Sequence, residues 1–212
     1  MPLPVICDLR IRTLYGTGDP EEEQMSGKII IDENTMMRTL ARLSHEIIER
    51  HPDESEIYLV GIRRRGVPLA AILKKNIERF SDLHVYTGEL DITLYRDDVS
   101  SRYREPALKA SEISFDVNGK RIILVDDVIF TGRTARAAME AVISLGRPAS
   151  IELCVMVDRG HRELPILANY VGKNIPTSRH EFISVCVEEF DGVNRVVLHS
   201  DGETPERGPE YA

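Results

Sequence analysis

The stretch RIILVDDVIFTGRT, residues 121 to 134, limits what this chain can fold into more than any other. Ile122, Ile123, Leu124 and Val125 form an apolar run with no polar alternation, which suits a strand covered on both faces. Asp126 and Asp127 follow side by side, and then Thr131, Gly132, Arg133 and Thr134. In an open parallel sheet, ligands sit beyond the carboxyl ends of the strands, and the two aspartates stand at such an end. The turn after them opens a helix over about Gly132 to Leu145, whose free N–H groups and positive dipole end favour an anion. Gly132 lets the backbone approach closely, and the threonine hydroxyls add donors. The pattern calls for hydroxyls or a cation at the carboxylates and a phosphate at the turn. A phosphorylated sugar meets both demands.

Rival readings of the same stretch are weaker. A Walker B strand also ends in acids, but it needs a G-x-x-x-x-G-K-[ST] loop, and the chain has none. A phosphate-accepting receiver domain pairs acids at strand ends yet has no use for the Thr-Gly-Arg-Thr turn. Acids that merely cap a strand would not need that turn either.

The flanking segments alternate strand and helix. KIIID is strand-like, and Asn34 or Thr35 can cap a helix running through Arg50. In that helix Met36, Met37, Leu40, Ala41, Leu43, Ile47 and Ile48 form one apolar stripe, with Arg38, Arg42, His45 and Glu49 opposite. IYLVG (57–61) is a short buried strand leading through RRRG into the helical VPLAAILKKNIERF. LHVYTGEL and DITLY read as two further strands, and IELCVMV (151–157) as another. The polar stretch 96–114 has little apolar periodicity and reads as a mobile loop. Such alternation predicts βαβ units and an α/β fold built on a mainly parallel sheet flanked by helices.

Residues 1–27 read as a loosely ordered extension, 28–200 as one domain, and 201–212 as an acidic tail. A chain of 212 residues, 42% hydrophobic, is long enough for such a core. No apolar run approaches the roughly 18 residues of a membrane span, and the amino terminus lacks a secretory pattern. Cys7, Cys154 and Cys186 are odd in number and far apart, so they read as small core residues in a reducing cytoplasm. The net charge of −8 argues against coating nucleic acid by bulk charge, though not against a local basic patch.

RIILVDDVIFTGRT resembles the phosphoribosyl-pyrophosphate signature of the type I phosphoribosyltransferases. The resemblance implies that Asp126 and Asp127 hold the ribose hydroxyls and that Thr131, Gly132, Arg133 and Thr134 hold the 5′-phosphate. Gly61-Ile-Arg-Arg-Arg-Gly66 is similar to the family's pyrophosphate loop, which implies Arg64 and Arg65 as pyrophosphate contacts. The stretch 96–114 matches its flexible loop, with Arg102, Tyr103 and Arg104 as candidates to reach the pyrophosphate. A small hood and a Mg²⁺ ion, held mainly through substrate and water, come with the same resemblance. Purine enzymes of the family carry an aspartate just before Thr-Gly, where this chain has Phe130, so a purine base is disfavoured.

GELDITLYRDD (88–98), SLGRPASIEL (144–153) and above all VDRGHRELPILANYVGKNIPTS (157–178) are similar to the PyrR family. That likeness runs from about Lys28 to His199. It implies a regulator of pyrimidine operons that binds leader mRNA, acts by attenuation, and converts uracil and phosphoribosyl pyrophosphate to UMP and pyrophosphate. It further implies UMP or UTP as effectors, a homodimer or higher oligomer, and Asp158 and Arg159 beside the base. The RNA contacts it points to are Arg38, Arg42, His161 and Arg162, with Arg147 and Lys173 as additions. The alternative is a transferase of pyrimidine salvage without RNA regulation.

Overall fold

The computed structural model describes residues 27–95 and 111–200. Five strands form the central sheet: β2 (Glu56–Ile62), β3 (His84–Leu90), β4 (Arg121–Ile129), β5 (Ser150–Asp158) and β6 (Tyr170–Asn174). Their order is β3-β2-β4-β5-β6, and every neighbouring pair is parallel. The strand of the double aspartate thus lies at the centre, as its unbroken apolar run requires.

Residue alternation assigns the two faces. Leu59, Ile123, Val125, Cys154 and Met156 pack beneath α1 (Glu33–Arg50) and α2 (Gly66–Phe80). Val60, Leu124, Leu153 and Val155 pack beneath the alanine-rich α3 (Arg133–Leu145). The alanines keep α3 close to the sheet, and their small side chains leave the strands to supply most of the buried volume.

Beside this layer, β1 (Lys28–Ile31), β7 (Phe182–Cys186) and β8 (Arg195–His199) make a small antiparallel sheet in the order β1-β8-β7. A one-turn helix, α4 (Glu188–Asp191), links β7 to β8. Ile31, Ile183, Val185 and Val196 of this hood join the same core as α1. The hood is anchored by apolar burial, not merely tethered.

Three local expectations change. The α1 cap is Asp32, whose Oδ1 accepts from the Thr35 N–H at 2.7 Å; Asn34 and Thr35 already lie inside the first turn. DITLY is no strand but a 3₁₀ turn at Thr93–Tyr95. Asp91 Oδ1 accepts from the Thr93 N–H at 2.9 Å, and this side-chain turn bends the chain away from β3. Met37, expected within the apolar stripe of α1, is exposed, whereas Ser44 is buried by returning its hydroxyl to the Leu40 carbonyl.

Cys154 and Cys186 are buried and unbridged, and burial pushes the Cys154 thiol up to about 12. Arg102, Tyr103 and Arg104 lie outside the described residues. Among the described residues, no helix is long and apolar enough to cross a membrane.

Candidate active site

The centre of the site is the carboxyl end of β4. Asp126 is 9% exposed, and its Oδ1 accepts from the Asp127 N–H at 2.9 Å. Asp127 Oδ1 accepts from the Val128 N–H at 2.8 Å, so both side chains are held against their own backbone. Burial pushes the Asp126 carboxyl well above the usual aspartate range, and the charge of Asp127 pushes it the same way. Burial also raises Asp127, against the opposing pull of the Arg65 guanidinium. Two crowded, poorly hydrated carboxylates are stabilised by whatever brings them hydroxyl donors or positive charge. Ribose hydroxyls do so, and so does a cation carried with the substrate.

The phosphate turn lies alongside. Gly132 has a φ of 91°, the left-handed region that favours glycine, and it caps α3 without a side-chain hydrogen bond. The first N–H groups of α3 therefore point into the turn. Asp126, Phe130, Thr131, Gly132 and Thr134 line one cavity of about 110 Å³. The carboxylate and the phosphate turn named from sequence thus share a single recess. Arg133 flanks it and pairs with Glu163 at 2.8 Å.

The third element is the loop from Gly61 to Gly66. A Cβ on Gly66 would run into the Val125 carbonyl oxygen, and one on Gly61 would lie 2.6 Å from Val67 Cα. Only glycines let this loop seat directly on the end of β4, next to the aspartates. Arg63 leans outward to Glu89 (3.1 Å) and Glu112 (3.4 Å). Arg64 is exposed, and Arg65 turns inward to pair with Asp191 of α4 at 2.9 Å. The Arg63–Arg64 peptide is cis.

The segment after β5 closes the fourth side. Arg159 packs on Phe130, which lines the cavity, and Asp158 precedes Arg159; the side chains of both are occupied by the scaffold. The buried Arg159 guanidinium lies 4.0 Å from the centre of the Phe130 ring and donates to Thr177 Oγ1 (3.1 Å) and to the Ser178 and Glu181 carbonyls. Asp158 accepts from the Gly160 N–H at 2.9 Å and from Arg162 at 2.6 Å. His161, at a φ of 59°, meets the Phe130 ring edge-on and the Thr177 carbonyl at 2.6 Å. Phe130 is therefore gripped by Arg159 and His161 from different sides.

Arg162, expected to face RNA, is turned inward. Its side chain is 16% exposed and donates to the Phe130 carbonyl (2.7 Å), the Gly160 carbonyl (3.2 Å), the Ile166 carbonyl (2.9 Å) and Asp158. With Glu163 and Leu164 both donating to the Thr131 carbonyl, this segment braces the phosphate turn from behind.

Of the expected RNA contacts, Arg42 lies where α1 crosses β6, while Lys173 follows Gly172, the residue that faces Thr39 of α1, and so points the other way from the strand. Arg42 donates to the Val171 (2.9 Å) and Gly172 (2.7 Å) carbonyls, Lys173 is next in sequence and exposed, and Arg38 lies one turn back on α1. Arg147 stands apart: it follows α3 on the other face of the sheet, where its N–H meets Asn118 Oδ1 at 2.8 Å. Sequence reasoning did not find Asp191, Glu163 or the grip on Phe130. Asp191 sits in an acidic run without motif spacing, and Arg159 finds its partners around twenty residues away.

The phosphoribosyl transferase domain family matches residues 26–189. A bifunctional protein PyrR of Clostridium novyi is 56% identical over 170 residues, covering 80% of this chain and 96% of its own. Another, from Caldicellulosiruptor bescii, is 54% identical over 171 residues, covering 81% and 94%. Among solved structures, the hypoxanthine phosphoribosyltransferase of Trypanosoma cruzi superposes with a TM-score of 0.63 at 18% identity, covering 82% of this chain and 97% of that one. At that identity the likeness concerns the fold alone. With carboxylate pair, phosphate turn and glycine-bounded arginine loop at one strand end, and relatives this similar along most of its length, the chain belongs to the phosphoribosyl transferase family and, within it, to the bifunctional PyrR proteins.

Proposed function

We propose that this chain transfers the phosphoribosyl group of phosphoribosyl pyrophosphate to uracil, and that the nucleotide in the same site governs its binding to leader mRNA of pyrimidine biosynthesis genes. The observation that carries the reading is the cavity shared by Asp126 and the Thr131–Thr134 turn. In this reading Asp126 and Asp127 hold the ribose hydroxyls, and Thr131, Gly132, Arg133 and Thr134 hold the 5′-phosphate. Arg64 and Arg65 receive the pyrophosphate as its charge develops. The buried strand fixes the carboxylates before the substrate arrives, so the rate gain comes from positioning and electrostatics, not from a general base.

Mg²⁺ fits the residues present. Two raised, mutually repelling carboxyls are stabilised by positive charge, and Asp126 and Asp127 would hold the ion mainly through ribose hydroxyls and water. When bound, it neutralises charge on the leaving pyrophosphate.

The base is pyrimidine because Phe130, clamped by Arg159 and His161, occupies the position where purine enzymes place an aspartate. Asp158 and Arg159 stand beside the base in this reading; their side chains, the Asp158 carbonyl and the Arg159 N–H are held by the scaffold. RNA binds on the face of α1 that carries Arg38 and Arg42, with Lys173 as an addition from β6. His161, in contact with Phe130, adds an RNA contact beside the nucleotide pocket.

The test is a gel-shift of leader RNA with and without UMP. UMP should tighten RNA binding by roughly 5–150-fold, the usual range of coupling between two sites. RNA binding indifferent to UMP would remove the regulatory half and leave a salvage transferase.

A further inference from the structure

Arg65 belongs to the loop that abuts the end of β4, yet the charged partner it meets at 2.9 Å comes from the hood, 126 positions later in sequence. That partner is Asp191, the last residue of α4. Both side chains are largely buried, at 19% and 16% exposed. The second oxygen of Asp191 accepts from the Val187 N–H at 2.8 Å, so the carboxylate is fixed at the start of the turn that bears it. Its own N–H also returns to the Val187 carbonyl at 2.8 Å. The hood in turn is packed into the core through Ile183, Val185, Val187 and Val196. A long flexible guanidinium is thereby held by a rigid acceptor, on the side of the loop facing the double aspartate.

We infer that Asp191 is a positioning residue for phosphoribosyl transfer: it holds Arg65 in the orientation that meets the pyrophosphate, and so makes the hood part of the leaving-group site. This rests on the reading of Arg65 as a pyrophosphate contact. Without such an acceptor, the several rotatable bonds of the arginine would have to be ordered by the substrate itself, at the expense of affinity. A fixed carboxylate supplies that ordering in advance, and the pair is shielded enough from solvent to act as more than a loose surface contact. Electrostatics agree, since Arg65 is near enough to Asp127 to stabilise its charged form.

The informative variant is Asp191→Asn. Its carbonyl oxygen can still take the Val187 N–H, while the amide NH₂ turned toward Arg65 donates and cannot accept. The transferase is assayed with phosphoribosyl pyrophosphate and uracil varied separately, for wild type, D191N, D191E, R65A and the R65A/D191N pair, with melting temperatures measured alongside. Pyrophosphate binding is measured by calorimetry on the same five proteins. D191N should raise KM for phosphoribosyl pyrophosphate and weaken pyrophosphate about tenfold, the loss expected for one charge-assisted hydrogen bond. KM for uracil should stay near wild type, and the melting temperature should fall by only the few degrees that loss of one shielded ion pair brings. D191E should recover part of both losses, and the pair should be no worse than R65A alone in pyrophosphate affinity. If R65A weakens pyrophosphate and D191N does not, the positioning role is wrong while the loop assignment stands. If R65A itself changes neither KM nor pyrophosphate affinity, the loop assignment fails and takes the role of Asp191 with it.

Discussion

Asp126 is held where its charge is least comfortable, and that conflict has a measurable sign. Its folded-state pKa is raised, so the neutral form is the one the fold prefers. The favourable contribution is complete below the ordinary aspartate range and is lost as pH climbs through the raised value. Asp126→Asn keeps the oxygen that accepts from Asp127 and stays neutral throughout. Its melting temperature should exceed that of wild type at neutral pH, with the gap closing in acid, while the Asp126→Asn/Asp127→Asn pair loses transfer. Thermal scans across pH and a transferase assay check both halves. Stability given up for function in this way is common at active sites. Arg162 offers a second separation. Replacing Arg38 and Arg42 by alanine should weaken RNA, flatten its salt slope and spare transfer, because neither touches the phosphate turn. Arg162→Ala should instead lower transfer, since its guanidinium holds the Phe130 carbonyl at 2.7 Å; a salt titration of RNA affinity beside a transferase assay separates the two sets. The carboxylates and the turn were legible in sequence because their geometry is local, one strand end and one helix start. The inward turn of Arg162 was not, because apart from Asp158 its partners are backbone carbonyl oxygens, which carry no side-chain signature.

At the scale of elements, the glycine-bounded loop between β2 and α2 is the most demanding junction. Gly66→Ala would press a methyl group into the Val125 carbonyl. Backbone cannot move aside like a flexible side chain, so we expect a loss of about 1–3 kcal/mol in urea unfolding, with phosphoribosyl pyrophosphate binding lost more steeply. Loss of stability with unchanged affinity would mean that the loop does not touch the substrate. The strands and helices of the sheet could be read from period alone, since β2, β4 and β5 are apolar on both faces and α1 carries a clear stripe. The DITLY segment misled because Ile92, Leu94 and Tyr95 mimic a strand. An Asp91 side-chain bond to the Thr93 N–H outweighs that pattern and turns the chain toward α3, where Arg136 takes the Tyr95 carbonyl at 2.8 Å. Arg147, which the resemblance joins to the RNA contacts, follows α3 on the face of the sheet opposite α1.

For the whole molecule, the site lies where separate parts meet: the end of β4, the loop before α2, the segment after β5, and the hood through Asp191. Nothing in a single sequence states that β7, α4 and β8 fold back beside β1, because strand pairing across more than 150 residues leaves no local mark. The hood was foreseen from resemblance, and its ion pair to Arg65 was not. The segment 158–166 braces the phosphate turn, and its His161 touches both Phe130 and the Thr177 carbonyl. Under the proposed function, a nucleotide that orders the pocket would order this outer loop as well. Coupling of this kind is reciprocal, and RNA must tighten UMP by the factor with which UMP tightens RNA. All of this depends on the cavity being a pyrimidine nucleotide site. The direct measurement is product formation by the purified protein with phosphoribosyl pyrophosphate, Mg²⁺ and one base at a time. The account predicts UMP and pyrophosphate in equal amounts from uracil, with hypoxanthine and guanine inert. No UMP from uracil, or steady nucleotide formation from either purine, would contradict it.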